Sequence, residues 1–199
     1  MRILLVGASG DIGRAVHAEL SPRHEIVTAG RNSGDLRADL EDRASLAAMY
    51  RAAGPLDAVV SASGAVHFGP LAAFTEEQMM LGLRNKVMGQ VNLVFLGLDH
   101  VADGGSFTLT SGVLDRDPIR MGVGAATANS ALGGFVRGAA VEMPRGLRVN
   151  VVSPGLLDVS VPRYGAWFPG HEPVAAARVG RAYAKAVEGP GTGEVLVVG

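Results

Sequence analysis

The chain has 199 residues, 48% of them hydrophobic and 19% charged, which suits one compact domain with a full core. A formal net charge of -1 gives no electrostatic reason to expect binding to nucleic acid or to an anionic membrane. The absence of cysteine excludes disulfides, thiolate nucleophiles and cysteine metal sites.

Short apolar runs alternate with longer helix-like segments along the whole chain. The runs are near-continuously apolar, as strands buried on both faces are: Ile3–Val6, Ile26–Ala29, Ala58–Ser61, Phe107–Thr110, Val149–Val152 and Val195–Val198. The segments with helical composition are Ile12–Leu20, Ala44–Ala53, Glu76–Val101, Ala125–Met143 and Val174–Glu188. This alternation predicts a single α/β domain over residues 1–199, a Rossmann-type doubly wound parallel sheet between two layers of helices.

Two segments depart from the regular alternation. Gly30 to Asp42 is short for a strand–helix–strand unit, so we expect a trimmed or missing helix there. The stretch Ser160–Pro173 is rich in proline and glycine and predicts an irregular lid or substrate loop near residues 156–173. No apolar run is long enough for a signal peptide or a membrane span, so we expect a soluble cytoplasmic protein.

A glycine-rich turn directly follows the first strand and opens a helix. Gly7 suits a tight turn, Gly10 lets the backbone approach a pyrophosphate, and Gly13 lets the helix pack close to the sheet. The free amides and positive dipole end of the helix favour phosphate groups. The turn therefore predicts dinucleotide binding by Gly7, Ser9, Gly10, Asp11, Ile12 and Gly13. Because an acid repels phosphate, Asp11 is expected to turn outward and stabilise the helix start.

Arg31 follows the second strand, where the 2′ substituent of a ribose would lie. An acid at this point would select NAD, whereas Arg31, with Asn32 and Ser33 beside it, offers a cation and donors for a 2′-phosphate. The sequence thus favours NADP(H) over NAD(H). The alternative is a solvated surface arginine.

These residues resemble the short-chain dehydrogenase/reductase family, and the resemblance covers the whole chain. Its most specific match is residues 144–155, where the turn Pro154–Gly155, followed by Leu156, resembles the turn that lies against the nicotinamide. The resemblance also assigns Asp39 and Leu40 to adenine, Ser61, Ser63 and Gly64 to the cofactor after the fourth strand, Asn85 to an ordered water and Ser111 to the substrate oxygen. It implies a seven-stranded sheet.

The same resemblance places a catalytic Tyr-x-x-x-Lys on Ala125 and Asn129. The four-residue spacing puts both side chains on one face of a helix. An alanine methyl and a neutral amide cannot exchange a proton as an activated phenol does, although Asn129 can still bond a ribose hydroxyl. Candidate replacements for the acid are Tyr164, His67 and His171, each of which is otherwise a packing or surface residue.

Other residues near the expected site have plainer interpretations. Tyr50 and Tyr183 lie on helices away from it. Lys86 adjoins Asn85 but should point roughly 100° around the helix from it. Arg116 belongs to a charged cluster. This cluster predicts a solvated loop or, alternatively, a site for an acidic substrate. The histidine spacing indicates no metal site.

The leading hypothesis is an NADP(H)-dependent oxidoreductase that acts on a small carbonyl, alcohol or activated alkene. The alternative is an NADP(H)-binding sensor or scaffold without efficient turnover, which the missing tyrosine and lysine favour. Small residues in Ala125–Met143 permit close helix packing, either on the chain's own sheet or, as the resemblance implies, in a homodimer or homotetramer.

Overall fold

The computed structural model describes all 199 residues as seven parallel strands flanked by helices. The strands are β1 (Arg2–Val6), β2 (Glu25–Gly30), β3 (Leu36–Arg37), β4 (Leu56–Ser61), β5 (Val101–Thr110), β6 (Arg148–Pro154) and β7 (Val195–Val198). The helices are α1 (Asp11–Leu20), α2 (Arg43–Ala53), α3 (Glu76–Gly82), α4 (Gly89–Gly97), α5 (Val123–Ala140), α6 (Val161–Tyr164) and α7 (Ala176–Glu188). The predicted Rossmann-type fold with seven strands is confirmed.

The order of strands across the sheet is β3-β2-β1-β4-β5-β6-β7. Successive strands are added on one side of β1 up to β3 and on its other side from β4 onward. At such a switch point a ligand crevice opens at the carboxyl ends of the strands. Val6 pairs with Ser61 in register at the end of these two strands. The loops that follow them accordingly start side by side.

Alternate residues of the strands face two separate cores. Ile3 and Leu5 contact the layer of α1 and α7, whereas Leu4 and Val6 face the layer of α2, α4 and α5. Strands covered on both faces must be apolar at every position, which explains why the strand runs lack polar alternation. No helix has the combined length and hydropathy to cross a bilayer.

Three boundaries differ from those that the sequence predicted. The segment 76–101 is not one α-helix: a π-helical stretch, Leu83–Met88, joins α3 to α4, and Val101 already begins β5. Val174 pairs with Leu157 in an isolated bridge before α7 begins. Ser160–Pro173 is partly helical, since it contains α6 and a 3-10 turn at Gly165–Trp167. Apolar composition alone did not distinguish these short elements from loop or from longer helix.

The short connection after β2 was predicted correctly. β3 begins six residues after β2 ends, pairs through two residues and has no helix before it. The consequence is an open edge of the sheet beside Arg31, which leaves that side chain exposed.

Candidate functional site

A cleft of about 530 Å³ lies at the carboxyl ends of the central strands. Its walls come from the turn after β1, the loops after β4, β5 and β6, the face of α5 and the segment around α6. Most of the wall is apolar, with Phe68, Leu156 and Phe168 among its side chains. The polar groups that reach it are few: Asp11, Lys86, Ser111, Asn129, Ser160 and Tyr164. An apolar cleft with a few convergent polar groups is the usual form of a small-molecule site.

The glycine turn has the geometry that the sequence predicted. Gly7 has a φ of 88°, and its carbonyl accepts from the amide of Gly10 at 3.2 Å. A Cβ on Gly13 would overlap the carbonyl oxygen of Gly7, so only glycine lets α1 begin this close to the strand. Gly10 is the N-cap and has no side-chain cap, which leaves the first amides of α1 open to an anion.

Asp11 turns aside from the turn, but its contacts differ from the expected ones. It does not cap α1; its carboxylate accepts from Ser160 at 2.6 Å and forms ion pairs with Arg14 and Arg163. The hydrogen bond from Ser160, with the charge of Arg163, lowers the pKa of Asp11. Asp11 thus links the segment around α6 to the start of α1. Two arginines, Arg14 and Arg163, balance its charge beside the glycine turn.

The hollow beside β2 and β3 contains half of the eight residues predicted for the adenosine side of a cofactor and for the loop after β4. Gly30, Arg31, Leu40, Ser63 and Gly64 line it. At its rim the Arg31 side chain is 64% exposed, and its Nε lies 4.0 Å from Asp39. Ser33 donates to the hydroxyl of Ser9 at 3.2 Å, and Asn32 is exposed beside them.

Ser61 does not join the other predicted residues of this hollow. The side chain is fully buried within the sheet, and its hydroxyl has no hydrogen-bond partner. It lines neither the hollow nor the main cleft. A ligand in the crevice therefore cannot touch this side chain, because Ser61 is still part of β4, whereas Ser63 and Gly64 belong to the loop beyond it.

Ser111, Ala125 and Asn129 meet in the main cleft, as the sequence predicted. The hydroxyl of Ser111 makes only a long bond, 3.4 Å, to the carbonyl of Val152, so it can turn to another acceptor. Asn129 donates to the carbonyl of Gly112 at 3.0 Å, while its own carbonyl oxygen is buried without a partner. Ala125, one turn earlier on α5, presents only a methyl group.

Both polar atoms of the Asn85 side chain form hydrogen bonds with the protein. Its carbonyl oxygen accepts from the amide of Ala65 at 2.7 Å, and its amide donates to Glu41 at 2.7 Å. The side chain is buried and joins the loop after β4 to the loop before α2. These hydrogen bonds fix the wall of the hollow beside β2 and β3, and the assignment of an ordered water to Asn85 stays a prediction.

Lys86 is the functional candidate that the sequence reasoning set aside. Its side chain does diverge from that of Asn85, but the crevice continues around that side of the helix, so Lys86 lines the main cleft. Nζ donates to the carbonyl of Ser111 at 3.1 Å. Burial lowers the pKa of Lys86 to about 8, against an opposing effect of Asp115. One signal in the sequence was available: Lys86 is one of only two lysines in the chain.

The other candidate acids occupy weaker positions. Tyr164 lines the cleft from α6 and is half exposed. His67 packs edge-on against Phe74, and His171 lies 3.5 Å from Asp117; neither lines the cleft. Tyr50 and Tyr183 are buried and do not line the cleft, as predicted. Tyr50 donates to the carbonyl of Leu93, and Tyr183, in the core beside α1 and α7, contacts the hydroxyl of Thr110.

Arg116 is exposed after β5, as expected of a solvated loop, but its side chain is bonded to the protein and does not line the main cleft. It donates to the hydroxyl of Ser153 at 2.6 Å and to the carbonyl of Gly199 at 3.3 Å, and it pairs with Asp115. These bonds hold the segment after β5 against the end of β6. The side chain is thus structural support for the wall that carries Ser111.

A family model described as enoyl-(acyl carrier protein) reductase, of the short-chain type, matches residues 11–185. The chain belongs to the short-chain dehydrogenase/reductase family. Enzymes of this family are oxidoreductases that use a nicotinamide cofactor. The resemblance read from residues 144–155 and from the glycine turn is therefore confirmed at the level of the family.

Several known proteins resemble most or all of this chain. The crystal structure of the protein lin1944 from Listeria innocua is 47% identical, with a TM-score of 0.98 over 99% of this chain and 98% of that one. A small-chain dehydrogenase in complex with NADPH is 25% identical, with a TM-score of 0.86 over 100% and 96%. The uncharacterized oxidoreductase YmfI of Bacillus subtilis is 27% identical over 184 residues, 79% of this chain and 75% of that protein.

Proposed function

We propose that this protein is an NADP(H)-dependent oxidoreductase of the short-chain type that reduces a small carbonyl compound or activated alkene, or oxidises the corresponding alcohol. The observation that carries the proposal is the single cleft in which the glycine turn, Ser111 and Asn129 meet. The turn suits a pyrophosphate, and Ser111 suits a substrate oxygen. The bound cofactor would supply the hydride, while the chain positions and polarises the substrate.

The residues in the cleft fit a nicotinamide ribose. The carbonyl oxygen of Asn129 is buried without a donor, and a buried acceptor of this kind is costly unless a ligand satisfies it. A ribose hydroxyl would supply that donor. Pro154, Gly155 and Leu156 form the adjoining wall, on which the nicotinamide ring would lie.

The preference for NADP(H) rests on the polar groups at the end of β2. Arg31 is exposed, with only a distant pairing to Asp39, so its guanidinium can rotate onto a 2′-phosphate. Ser9 and Ser33 lie within hydrogen-bond distance of each other and provide hydroxyls at the same rim. The nearest acid in the connection, Asp35, accepts from the amide and hydroxyl of Thr28 instead. The NADPH-bound relative supports the same preference.

Ala125 and Asn129 take the positions of the family's tyrosine and lysine in this proposal. Both side chains face the cleft from α5, one turn apart. A methyl group cannot donate a proton, and an amide cannot lower the pKa of a neighbour as an ammonium does. A binding protein that takes up NADP(H) without turnover is the second candidate, and Ala125 is the residue that favours it.

The purified full chain tests this function directly. Fluorescence titrations with NADPH and NADH should give saturable binding, with NADPH the tighter ligand. Loss of NADPH absorbance across a panel of carbonyls and enones should then identify a substrate. Tight binding with no turnover on any substrate would support the binding protein, and no uptake of either coenzyme would contradict both candidates.

A variant of Ser111 tests its assignment within the same assay. Ser111→Ala should lower kcat by about 100-fold or more, as the loss of one polarising donor does, while NADPH affinity is kept. Ser21→Ala, at the exposed end of α1 and away from the cleft, is the matched control and should behave as the parent chain. Equal activity of the two variants would remove Ser111 from the mechanism.

The proposal includes a homodimer or homotetramer formed through α4 and α5. A groove of about 460 Å³ between these helices carries Phe95, which is 51% exposed, beside Phe135. Gly134 and Gly138 point outward from α5, and a Cβ on either would meet nothing within 4 Å. Small residues on an open face allow another helix to approach closely, which supports an interface on this side of α5.

A further inference from the structure

We propose that Lys86 is the proton donor of this enzyme, with its ammonium hydrogen-bonded to the substrate oxygen beside Ser111. The proposal rests on the reductase function above. In this proposal Lys86 is the general acid that Ala125 and Asn129 cannot provide, and it comes from a different helix.

The first argument is position. Lys86 comes from the π-helical stretch between α3 and α4 and donates to the carbonyl of Ser111. Asn129 comes from α5 and donates to the carbonyl of the next residue, Gly112. Two side chains from separate helices thus reach neighbouring carbonyls of one turn. The ammonium therefore lies against the backbone of Ser111, the residue whose hydroxyl the proposed function assigns to the substrate.

The loop after β4 makes room for this side chain. A Cβ on Gly64 would lie 2.7 Å from Cγ of Lys86 and 3.0 Å from its Cβ. Any larger residue at 64 would push the lysine stem out of its path into the cleft. Gly64 has a φ of 149°, a conformation that residues with a side chain rarely adopt, so both space and backbone favour glycine here.

The second argument is the number of free donors. A lysine ammonium has three protons, and the carbonyl of Ser111 takes one. The other two have no partner among the protein atoms, although Lys86 lines the cleft. Ala125, which lines the same cleft, presents only a methyl group and cannot accept from them. A substrate oxygen placed there would accept from Lys86 and from Ser111 together.

The charges around Lys86 are compatible with this role. Asp115 attracts the ammonium, but its carboxylate is engaged by Arg116 and by the hydroxyl of Ser153. Asp11, the other acid of the cleft, is balanced by Arg14 and Arg163. Ser111 and Asn129 are neutral, and Tyr164 contributes a phenol from α6. No carboxylate therefore forms an ion pair with Lys86 within 4.0 Å.

Burial gives the ammonium a suitable acidity. It lowers the pKa of Lys86 to about 8, so the group is mostly protonated at neutral pH but gives up its proton more readily than an ordinary lysine. A general acid works best when its pKa lies near the working pH. Lys86 meets that condition, whereas a fully solvated lysine, with a pKa of about 10.4, would not.

The proposed step balances as a carbonyl reduction. The substrate carbon receives the hydride, with its electron pair, from the reduced nicotinamide, which becomes oxidised. As the carbon–oxygen π bond opens, the substrate oxygen takes a proton from Nζ of Lys86 and becomes a hydroxyl. The neutral amine then regains a proton from water. One C–H and one O–H bond form, while a C–H bond of the reduced nicotinamide, the carbon–oxygen π bond and one N–H bond of the lysine break.

A nuclear magnetic resonance titration tests the acidity without any turnover. Because the chain has two lysines, labelling with ¹³C-lysine gives two side-chain signals, and Lys86→Met and Lys185→Met assign them. We expect the Lys86 signal to titrate near pH 8 and to shift when NADPH and then a substrate analogue are added. A Lys86 signal that titrates at the pH of a solvated lysine and ignores the substrate analogue would overturn the proposal.

Kinetics of variants test the step itself. Lys86→Met should lower kcat by about 100-fold or more, as the loss of a general acid does, and should keep NADPH affinity. The rate of the parent chain should fall above about pH 8, and the residual rate of Lys86→Met should lose that dependence. Lys86→Arg keeps the charge but cannot release a proton, so it should also be slow. The exposed control Lys185→Met should behave as the parent chain.

The outcomes separate this proposal from the proposed function. If the parent chain turns over and Lys86→Met is equally active, Lys86 is not the donor and the reductase function stands. If Lys86→Met loses NADPH binding in step with its activity, the lysine acts on the cofactor and the proposal is wrong. If the folded parent chain binds NADPH but reduces nothing, the reductase function fails and the proton-donor role fails with it.

Discussion

Lys86→Met should make the folded protein more stable at neutral pH, although it removes a hydrogen bond. The folded chain binds the proton of Lys86 less tightly than the unfolded chain, since its pKa falls from 10.5 to about 8. Unfolding therefore takes up a proton between these two pH values, so the free energy of unfolding rises with pH across that window. Below about pH 8 the buried ammonium lowers stability by its full amount, and above about pH 10.5 the penalty disappears.

The size of this penalty follows from the shift in pKa. At 1.36 kcal/mol for each unit, the fall from 10.5 to about 8 corresponds to about 3 kcal/mol. Lys86 keeps some contact with solvent, which reduces this penalty, and the methionine variant loses the hydrogen bond to Ser111. We therefore expect the variant to gain about 1–3 kcal/mol in free energy of unfolding at pH 7. For a chain of this length that raises Tm by roughly 2–12 °C. Methionine is unbranched and flexible enough to follow the path of the lysine stem.

Urea unfolding of both chains at pH 7 and at pH 10.5 measures the effect. The difference in the free energy of unfolding should be largest at pH 7 and should approach zero at pH 10.5, because other groups titrate alike in the two chains. Lys185→Met, at an exposed position, should show no such gain. A Lys86→Met protein that is less stable at pH 7, or whose gain is the same at both pH values, would refute the account of a desolvated ammonium.

Three further predictions concern the cofactor rim, the segment around α6 and the helical interface. Arg31→Ala should weaken NADPH binding by roughly 10- to 100-fold with little change for NADH, because a charge-assisted contact to phosphate contributes about 1.5–3 kcal/mol. Fluorescence titration measures both affinities, and Arg51→Ala, at an exposed position, is the control. Asp11→Asn should raise hydrogen exchange in residues 158–168, since Ser160 and Arg163 lose their anchor. In the parent chain, acid should raise hydrogen exchange in the same residues. The pKa of Asp11 is lowered in the folded chain, so its contacts with Ser160 and Arg163 are complete above about pH 4 and are lost at lower pH as Asp11 is protonated. Phe95→Glu should convert the oligomer to monomer in light scattering after gel filtration, and an unchanged mass would exclude this face as the interface.

The tension between stability and function at Lys86 is typical of a reactive site. A buried ammonium without a close carboxylate costs free energy that the rest of the fold must offset. The surrounding structure provides that offset through apolar cores on both faces of the sheet. A residue that lowers stability and yet points into the cleft is more simply explained by chemistry than by packing.

The amino-acid sequence by itself determined the fold and the geometry of the glycine turn. Strands buried on both faces need continuous apolar runs, and the turn from Gly7 to Gly13 needs glycine for local steric reasons, so both leave a local pattern. The missing helix after β2 could likewise be read from the length of one segment. These features depend on near neighbours in the chain.

The tertiary structure alone decided how the chemistry-bearing side chains are used. Ser160 lies 149 residues from Asp11, and Glu41 lies 44 from Asn85, so no local pattern could reveal those bonds. The π-helical stretch and the space beside Gly64 bring Lys86 to Ser111, 25 residues away. Which hydrogen bonds a polar side chain makes, and therefore which of its atoms stay free for a ligand, depends on residues that only folding brings together.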